Sequence, residues 1–188
     1  ISASGSPRIP WLVSNPIYVG GASSSQTSST LPPIVEALAV FTDGPATDWH
    51  VEKSVRSEGT IGTARSTNGT QLILRYGLGG TLSESPYVAA VMELRSDVDV
   101  PRFKGVMFAA RAMRPMRLAV QLRAEGPDDR RWSWSVYLDD TSRTVTVPFE
   151  EMRPLGLASG RPSLEDVRHL LFVVDTVNAK QGSSGQVW

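Results

Sequence analysis

Residues 115–124 read PMRLAVQLRA, a stretch in which apolar and polar side chains alternate. The large apolar side chains come at every second position: Met116, Leu118, Val120 and Leu122. The positions between them are Arg117, Ala119, Gln121 and Arg123. A period of two is typical of a β-strand that has one face in a core and the other in water. The stretch therefore predicts a half-buried strand.

Three similar stretches lie around it, at residues 103–112, 131–138 and 143–149. The connections are short and contain turn-forming residues, namely Arg114-Pro115, EGPDD at 125–129 and DDTS at 139–142. Strands joined by tight turns pair in antiparallel fashion, because a parallel pair needs a crossover connection. Further strands are predicted at 49–53, 60–66, 71–78, 87–94 and 169–175, and a short helical turn at 33–39. The fold class is therefore an all-β, jelly-roll-like antiparallel β-sandwich.

Composition excludes several classes of function. The 188 residues contain no cysteine, so there is no disulfide, no thiolate nucleophile and no cysteine metal site. Nineteen basic and nineteen acidic residues balance to a net charge of zero, which gives no electrostatic support to a role with nucleic acid or an anionic membrane. No apolar run approaches the roughly 20 residues of a transmembrane helix, so no membrane span is expected.

The first 33 residues differ in composition from the rest. Residues 9–19 (IPWLVSNPIYV) are apolar and interrupted by proline, and we expect them to dock through Trp11, Ile17 and Tyr18. Residues 20–33 are mostly Gly, Ser and Thr, which is typical of a flexible linker. The predicted organisation is thus the tail of a preceding domain at 1–19, a linker at 20–33 and the β-sandwich at 34–188. The start without an initiator Met or a signal sequence predicts that the chain comes from a longer protein.

The usual signatures of catalysis and of metal binding are not found in the sequence. His50 and His169 are far apart and outside any ligand motif. The acidic pairs at 128–129, 139–140 and 150–151 are sequence neighbours, and a glycosidase needs two carboxylates that face each other across a sugar. We therefore expect that the chain is not an enzyme by itself, and we assign no catalytic and no metal-binding residue.

A polar face on the predicted strands is the best candidate for a binding site. The outward set is Arg117, Gln121 and Arg123 on one strand and Arg131, Ser133, Ser135 and Tyr137 on the next, with Arg111 on the strand before. If the three strands are neighbours, Arg111, Gln121, Ser135 and Tyr137 form one ligand-binding surface. Polar groups that bind hydroxyls, together with an aromatic ring for the apolar sugar face, suit carbohydrate. A solvated outer face would use the same residue types, and the opposite parity of Trp132 and Trp134 predicts that they fill the core.

Several motifs resemble a known superfamily. WHVEKS at 49–54, GVMFAARA at 105–112, VTVPF at 145–149 and LFVVDT at 171–176 are similar to the galactose-binding-like β-sandwiches, in particular to carbohydrate-binding modules and to the complex I intermediate-associated protein type. PWLVSNPIYV at 10–19 resembles the segment that closes the metal-dependent phosphoesterase barrel of the polymerase and histidinol phosphatase (PHP) superfamily.

These resemblances imply a C-terminal accessory domain whose partner is a catalytic domain of the same polypeptide. They support Arg111 and Tyr137 as sugar-binding residues and imply no cofactor beyond a possible structural calcium ion, with Asp43 or Asp175 as a ligand. Location is left open, with an extracellular or periplasmic one favoured. The leading hypothesis is a non-catalytic accessory module that binds carbohydrate or a related polyol on a shallow polar sheet face. The alternative is a structural or docking module that packs against a catalytic domain or partner and has no ligand of its own.

Overall fold

The computed structural model describes residues 11–14, 37–41, 45–67 and 69–188. Within these residues the chain forms thirteen strands: β1 (Trp11–Ser14), β2 (Ala37–Phe41), β3 (Trp49–Lys53), β4 (Glu58–Ser66), β5 (Gly69–Gly77), β6 (Tyr87–Glu93), β7 (Gly105–Ala110), β8 (Met116–Ala124), β9 (Arg131–Leu138), β10 (Arg143–Pro148), β11 (Arg153–Leu155), β12 (Val167–Asp175) and β13 (Ser184–Val187). Helix is limited there to three short 3-10 segments: Leu82–Glu84, Val100–Arg102 and Phe149–Glu151. None of the helices described is long and apolar enough to cross a membrane.

One layer of the sandwich is a six-stranded antiparallel sheet in the order β11-β9-β8-β12-β6-β3. β12 lies near its centre, between β8 and β6. Its sequence, VRHLLFVVD, has five consecutive apolar residues, because a strand covered on both faces needs apolar side chains in both directions. β8 was predicted to be half-buried, but its outward residues Ala119 and Gln121 are buried as well, so only Arg117 on that face is exposed.

The other layer is built from β4, β5 and β13 together with β10, β7, β1 and β2. A bridge between Ala112 and Val187 joins the two groups. β1 runs parallel to both β7 and β2, whereas the other pairs of this layer are antiparallel. The backbone of β1 thus belongs to the sandwich, while Ile17, Tyr18 and the predicted linker at 20–33 lie outside the described residues. The predicted domain boundaries stay a prediction.

A single large core fills the space between the layers. Leu118, Val120 and Leu122 of β8 are buried there, and Phe172 of β12 packs edge-on against Phe108 of β7 with 4.9 Å between the ring centroids. Trp132 is 2 % exposed, and its indole Nε1 donates a hydrogen bond to the carbonyl oxygen of Gly160 at 3.1 Å. The prediction that Trp132 fills the core is confirmed, as is the predicted class of an all-β, jelly-roll-like antiparallel β-sandwich.

Three details of the sequence prediction are wrong. The strands predicted at 103–112 and 115–124 are not neighbours, since β7 pairs with β10 and β1 whereas β8 pairs with β9 and β12. The turn between them carries the chain from one layer to the other. Residues 37–39 belong to strand β2 and not to a helical turn. The strands predicted at 131–138 and 143–149 are not neighbours either, since β10 pairs with β7 in the other layer whereas β9 pairs with β8 and β11.

Candidate functional site

The outer face of the six-stranded sheet consists of the side chains that point away from the core. β8 contributes Arg117, Gln121 and Arg123 to it, and β9 contributes Ser133, Ser135 and Tyr137. Gln121 lies opposite Ser133 in the antiparallel ladder, and Tyr137 lies opposite Arg117. Residues directly opposite each other in a ladder share a face. Three of the four predicted site residues, Gln121, Ser135 and Tyr137, therefore lie on one surface.

Arg111 lies elsewhere, beyond the end of β7 in the other layer. Its backbone N–H donates to the carbonyl oxygen of Trp188 at 3.0 Å, and its carbonyl oxygen accepts from the N–H of Trp188 at 2.9 Å. Its guanidinium carbon is 3.8 Å from the centroid of the Trp188 ring. The alternation of side chains would place Arg111 on the same face as Gln121, Ser135 and Tyr137 only if β7 and β8 were neighbouring strands. Because the chain changes layers between these strands, Arg111 is separated from the outer face.

The middle of the outer face is an apolar floor of five buried residues: Ala89, Val91, Ala119, Leu171 and Val173. They come from the three central strands β6, β8 and β12, and Tyr87 packs against them. The floor is a second apolar cluster, separate from the core between the layers. This cluster is called the floor from here on.

An ion pair crosses the floor on one side. Arg123 of β8 donates two hydrogen bonds to the Glu52 carboxylate of β3, at 2.7 and 2.8 Å. β12 and β6 lie between these two strands, so both side chains must run across the face. The register places Leu171 and Val91 beneath their path, which accounts for the burial of these two residues.

The ion pair determines the protonation of Glu52. The hydrogen bond from Arg123 is the main reason why the pKa of Glu52 is lowered, against the opposing effect of burial. His50 adds to it, since its Nε2 is 3.4 Å from a carboxylate oxygen of Glu52. Burial, helped by the charge of Arg123, lowers the pKa of His169 on the neighbouring strand. The site thus favours an ionised Glu52 and a neutral His169.

The segment after β12 covers the floor on its other side. Ser135 donates from its hydroxyl to Asn178 Oδ1 at 2.8 Å, and Asn178 Nδ2 donates to Asp175 Oδ1 at 2.8 Å. The same Asp175 oxygen accepts the backbone N–H of Val177 at 3.1 Å. These hydrogen bonds connect the turn after β12 to β9, so the turn lies over the intervening strand β8. Ser135 also accepts a hydrogen bond from Arg117 at 3.3 Å.

Gln121 is the only buried side chain with an unpartnered polar atom on β8 or β9, within the part of the chain that the structure describes. It is 4 % exposed, and its Oε1 accepts no hydrogen bond from the described residues. A buried acceptor without a donor costs about 1 to 3 kcal/mol. Since Gln121 points to the outer face, a ligand donor that reached Oε1 would remove this cost.

One accessible part of the outer face is formed by β8, β9 and β11. Tyr137 is 49 % exposed, and Arg117 and Ser135 beside it are also exposed. Arg153 of β11 is exposed and lies opposite Ser133, so it shares this face. Sequence reasoning missed Arg153, Asn178 and Glu52, because they come from segments whose pairing with β8 or β9 has no local signal.

The residues described include no group of three or more His, Cys, Asp or Glu side chains with the geometry of a metal site. Asp175, one of the two calcium ligands suggested by resemblance, is engaged with Asn178 and with backbone N–H groups. Asp43, the other, lies outside the described residues.

Comparison with known proteins identifies the fold. No family model and no curated protein matches the sequence. Among solved structures, the chain is similar to a family 11 carbohydrate-binding module from Clostridium thermocellum in complex with a β-1,3-1,4-mixed-linked tetrasaccharide, with a TM-score of 0.59, 16 % identity and coverage of 76 % of this chain and 85 % of that one. The chain shares the β-sandwich fold of this module.

Two further structures agree with this fold. The family 11 module of a cellulosomal cellulase from Clostridium thermocellum has a TM-score of 0.59 and 16 % identity, covering 77 % of this chain and 90 % of that one. A family 30 carbohydrate-binding module of another cellulosomal cellulase of the same organism has a TM-score of 0.53 and 12 % identity, covering 79 % and 91 %. Identities this low establish the sandwich alone. The resemblances to the complex I intermediate-associated type and to a PHP-type preceding domain remain predictions.

Proposed function

We propose that this chain is a non-catalytic module that binds carbohydrate or a related polyol on the outer face of the six-stranded sheet. The observation behind the proposal is the buried, unpartnered Oε1 of Gln121 on the same face as the exposed ring of Tyr137. A sugar hydroxyl would donate to Oε1 once the side chains that bury Gln121 move aside, and an aromatic ring can pack against the apolar face of a sugar. The two groups therefore match the two kinds of surface that a sugar presents.

The separation of these groups favours a chain of sugars over a single one. Tyr137 lies opposite Arg117, which precedes Gln121 by four residues on β8. At about 3.4 Å per residue along a strand and about 4.8 Å between strands, Gln121 and Tyr137 are about 14 Å apart. Ser133 and Ser135 on β9 provide hydroxyl groups between them.

The fold of the chain supports the same proposal. The three similar structures described above are carbohydrate-binding modules, and one of them is described in complex with a β-1,3-1,4-mixed-linked tetrasaccharide. A shared fold does not by itself imply a shared ligand, so the proposal depends on the residues of the face.

The carboxylates of the face support binding without catalysis. A general acid in glycoside hydrolysis needs a raised pKa, whereas the pKa of Glu52 is lowered by Arg123. The side chain of Asp175 holds the turn that contains Asn178. Both groups thus have structural roles. The comparisons do not favour the alternative of a docking module without a ligand, and its predicted contacts, the side chains of Trp11, Ile17 and Tyr18, lie outside the part of the chain that the structure describes.

The experiment is binding of the purified chain to a panel of neutral and acidic polysaccharides by affinity electrophoresis, followed by calorimetry on any that retard it. We expect Tyr137→Ala and Gln121→Leu each to weaken binding at least tenfold. Val55→Ala is the matched control, because Val55 is 97 % exposed and lies in the turn between β3 and β4, away from the face. Unchanged affinity in both site variants would exclude this face, and no retardation by any polysaccharide would refute the proposed function.

A further inference from the structure

The exposed part of the outer face over β8, β9 and β11 is basic. Arg117 of β8, Arg131 of β9 and Arg153 of β11 all point to it, and we call these three residues the basic rim. The register places Arg117 opposite Tyr137 and Arg153 opposite Ser133. The arginines therefore surround the tyrosine and the serines of the proposed sugar site.

Only one of these three charges is neutralised by an ion pair within the described residues. Arg131 donates to the Asp129 carboxylate at 2.8 Å. Arg117 donates to the neutral hydroxyl of Ser135, and Arg153 is exposed with no ion pair in the described segments. Two permanent cations thus remain on the accessible half of the face.

The carboxylates of the face are held elsewhere. Glu52 is bound by Arg123, and Glu93 lies on β6, three strands away from β9. Asp175 comes opposite Arg117 when the ladder of β8 and β12 is continued by two residues beyond its last pair, Ala119 and Val173. Its Oδ1 accepts hydrogen bonds from Asn178, and Arg117 is turned to Ser135 on the other side. The guanidinium of Arg117 is therefore available to a ligand anion.

The two cations are separated by the length of an oligosaccharide. Arg117 is on β8 and Arg153 on β11, two strands apart, or about 10 Å. Arg153 is in register with Ser133 and Gln121, and Gln121 is four residues, or about 13 Å, along β8 from Arg117. The diagonal is about 16 Å. Ser133, Ser135 and Tyr137 lie within this span, so a sugar chain along β9 would pass between the two guanidinium groups.

From this arrangement we infer that the face selects an acidic polysaccharide, one whose sugars bear carboxylate groups as uronic acids do. The planar guanidinium donates two parallel hydrogen bonds to a carboxylate, and such charge-assisted bonds are about twice as strong as neutral ones. Tyr137 would contact the sugar ring while Arg117 and Arg153 bind carboxylates of different residues. This inference rests on the proposed function and specifies its ligand class.

The test compares ligands that differ only in charge. Polygalacturonate and alginate would each be used in the acid form and in the methyl-esterified form, with a neutral β-glucan as the third ligand. We expect at least one acid form to bind tenfold or more tightly than its own ester, and its affinity to fall as salt is raised. Arg117→Gln and Arg153→Gln should each reduce that affinity about tenfold and leave the unfolding midpoint unchanged.

Arg65→Gln is the matched control, because Arg65 is an exposed arginine of β4 in the other layer. An equal loss in this variant would attribute binding to general charge attraction and overturn the inference. Equal affinity for acid and ester, or binding of the neutral glucan alone, would overturn the acidic ligand class and leave the proposed function in place. Failure to bind any polysaccharide would refute both.

Discussion

Arg111 and Trp188 form a contact that neither residue predicts alone. The guanidinium lies 3.8 Å from the ring centroid, and the two backbones exchange hydrogen bonds. A cation over an aromatic ring at a partly exposed site contributes about 0.5 to 1 kcal/mol. Arg111 therefore stabilises the join between β13 and the end of β7, instead of contributing to the outer face.

For Arg111→Ala we expect a loss of about 1 kcal/mol in the free energy of unfolding and no change in polysaccharide affinity. Urea unfolding and calorimetric titration would measure the two quantities. Arg111→Lys serves as the control, because it keeps a cation near the ring and should recover part of the stability. A loss of binding without a loss of stability would return Arg111 to the ligand site.

The Glu52–Arg123 pair gives stability that depends on pH. Because the pKa of Glu52 is lower in the folded chain than its ordinary 4.5, the pair contributes fully above that value. Its contribution is lost as the pH falls through the lowered folded pKa. Glu52 is 27 % exposed and Arg123 is 14 % exposed, so the pair is intermediate between a surface and a buried ion pair.

We expect Glu52→Gln to lower the free energy of unfolding by about 2 kcal/mol near neutral pH. The loss of stability of the variant as the pH falls below 4.5 should be shallower than that of the natural chain. Denaturant unfolding at a series of pH values tests both. Glu93→Gln, an exposed carboxyl on the adjacent strand β6, is the control and should change little. Parallel pH curves for Glu52→Gln and the natural chain would contradict this account.

At the scale of elements, strand β9 supports both the core and the binding face. Its inward residues include Trp132, whose indole N–H donates to the carbonyl oxygen of Gly160 in the connection between β11 and β12. Its outward residues include Ser135 and Tyr137 of the proposed site. An alternating strand can do both because successive side chains point to opposite faces.

Trp132→Phe removes the indole N–H and part of the buried ring while keeping an aromatic residue. We expect a cost of about 2 kcal/mol, from the carbonyl left without its donor and from the smaller side chain. Hydrogen exchange should increase at residues 156–162, the connection that the indole holds. Trp134→Phe, a half-buried neighbour on the same strand, should have a smaller effect on stability and none on this connection.

For the whole molecule, the close approach of the two layers depends on a small residue. A Cβ atom on Gly59 of β4 would lie 2.5 Å from a methyl carbon of Val88 and 3.0 Å from one of Val51. Val88 is completely buried in the six-stranded sheet, so it has no room to move. Gly59 therefore permits β4 to pack against β6 and β3.

Gly59→Ala should destabilise the chain by about 2 kcal/mol, since overpacking a closed core forces its neighbours to shift. Gly62→Ala on the same strand is the matched control, because the nearest atom to its Cβ is a guanidinium nitrogen of Arg75 at 3.8 Å. That variant should remain within about 0.5 kcal/mol of the natural chain. Thermal unfolding of both variants gives the comparison. Equal effects would show that the residues around Gly59 move to accommodate the added methyl group, which would contradict this account.

Most strands were predictable because their signals are local. The alternation in β8 and the apolar run in β12 come from the period of two and from burial on both faces, and neither depends on distant residues. The same alternation placed Gln121 on the outer face and Trp132 in the core. The turn residues between β8, β9 and β10 predicted antiparallel neighbours, which is confirmed for β8 and β9 and wrong for β9 and β10, because β10 pairs with β7 in the other layer.

The amino-acid sequence by itself determined the fold class, the approximate bounds of the central strands and the sides of β8 and β9 that meet the core. Only the tertiary structure decided which strands are neighbours, because pairing across layers depends on long-range packing and not on any local pattern. That decision removed Arg111 from the proposed site, brought Arg153 beside Ser133, and placed Glu52 within reach of Arg123 across two intervening strands.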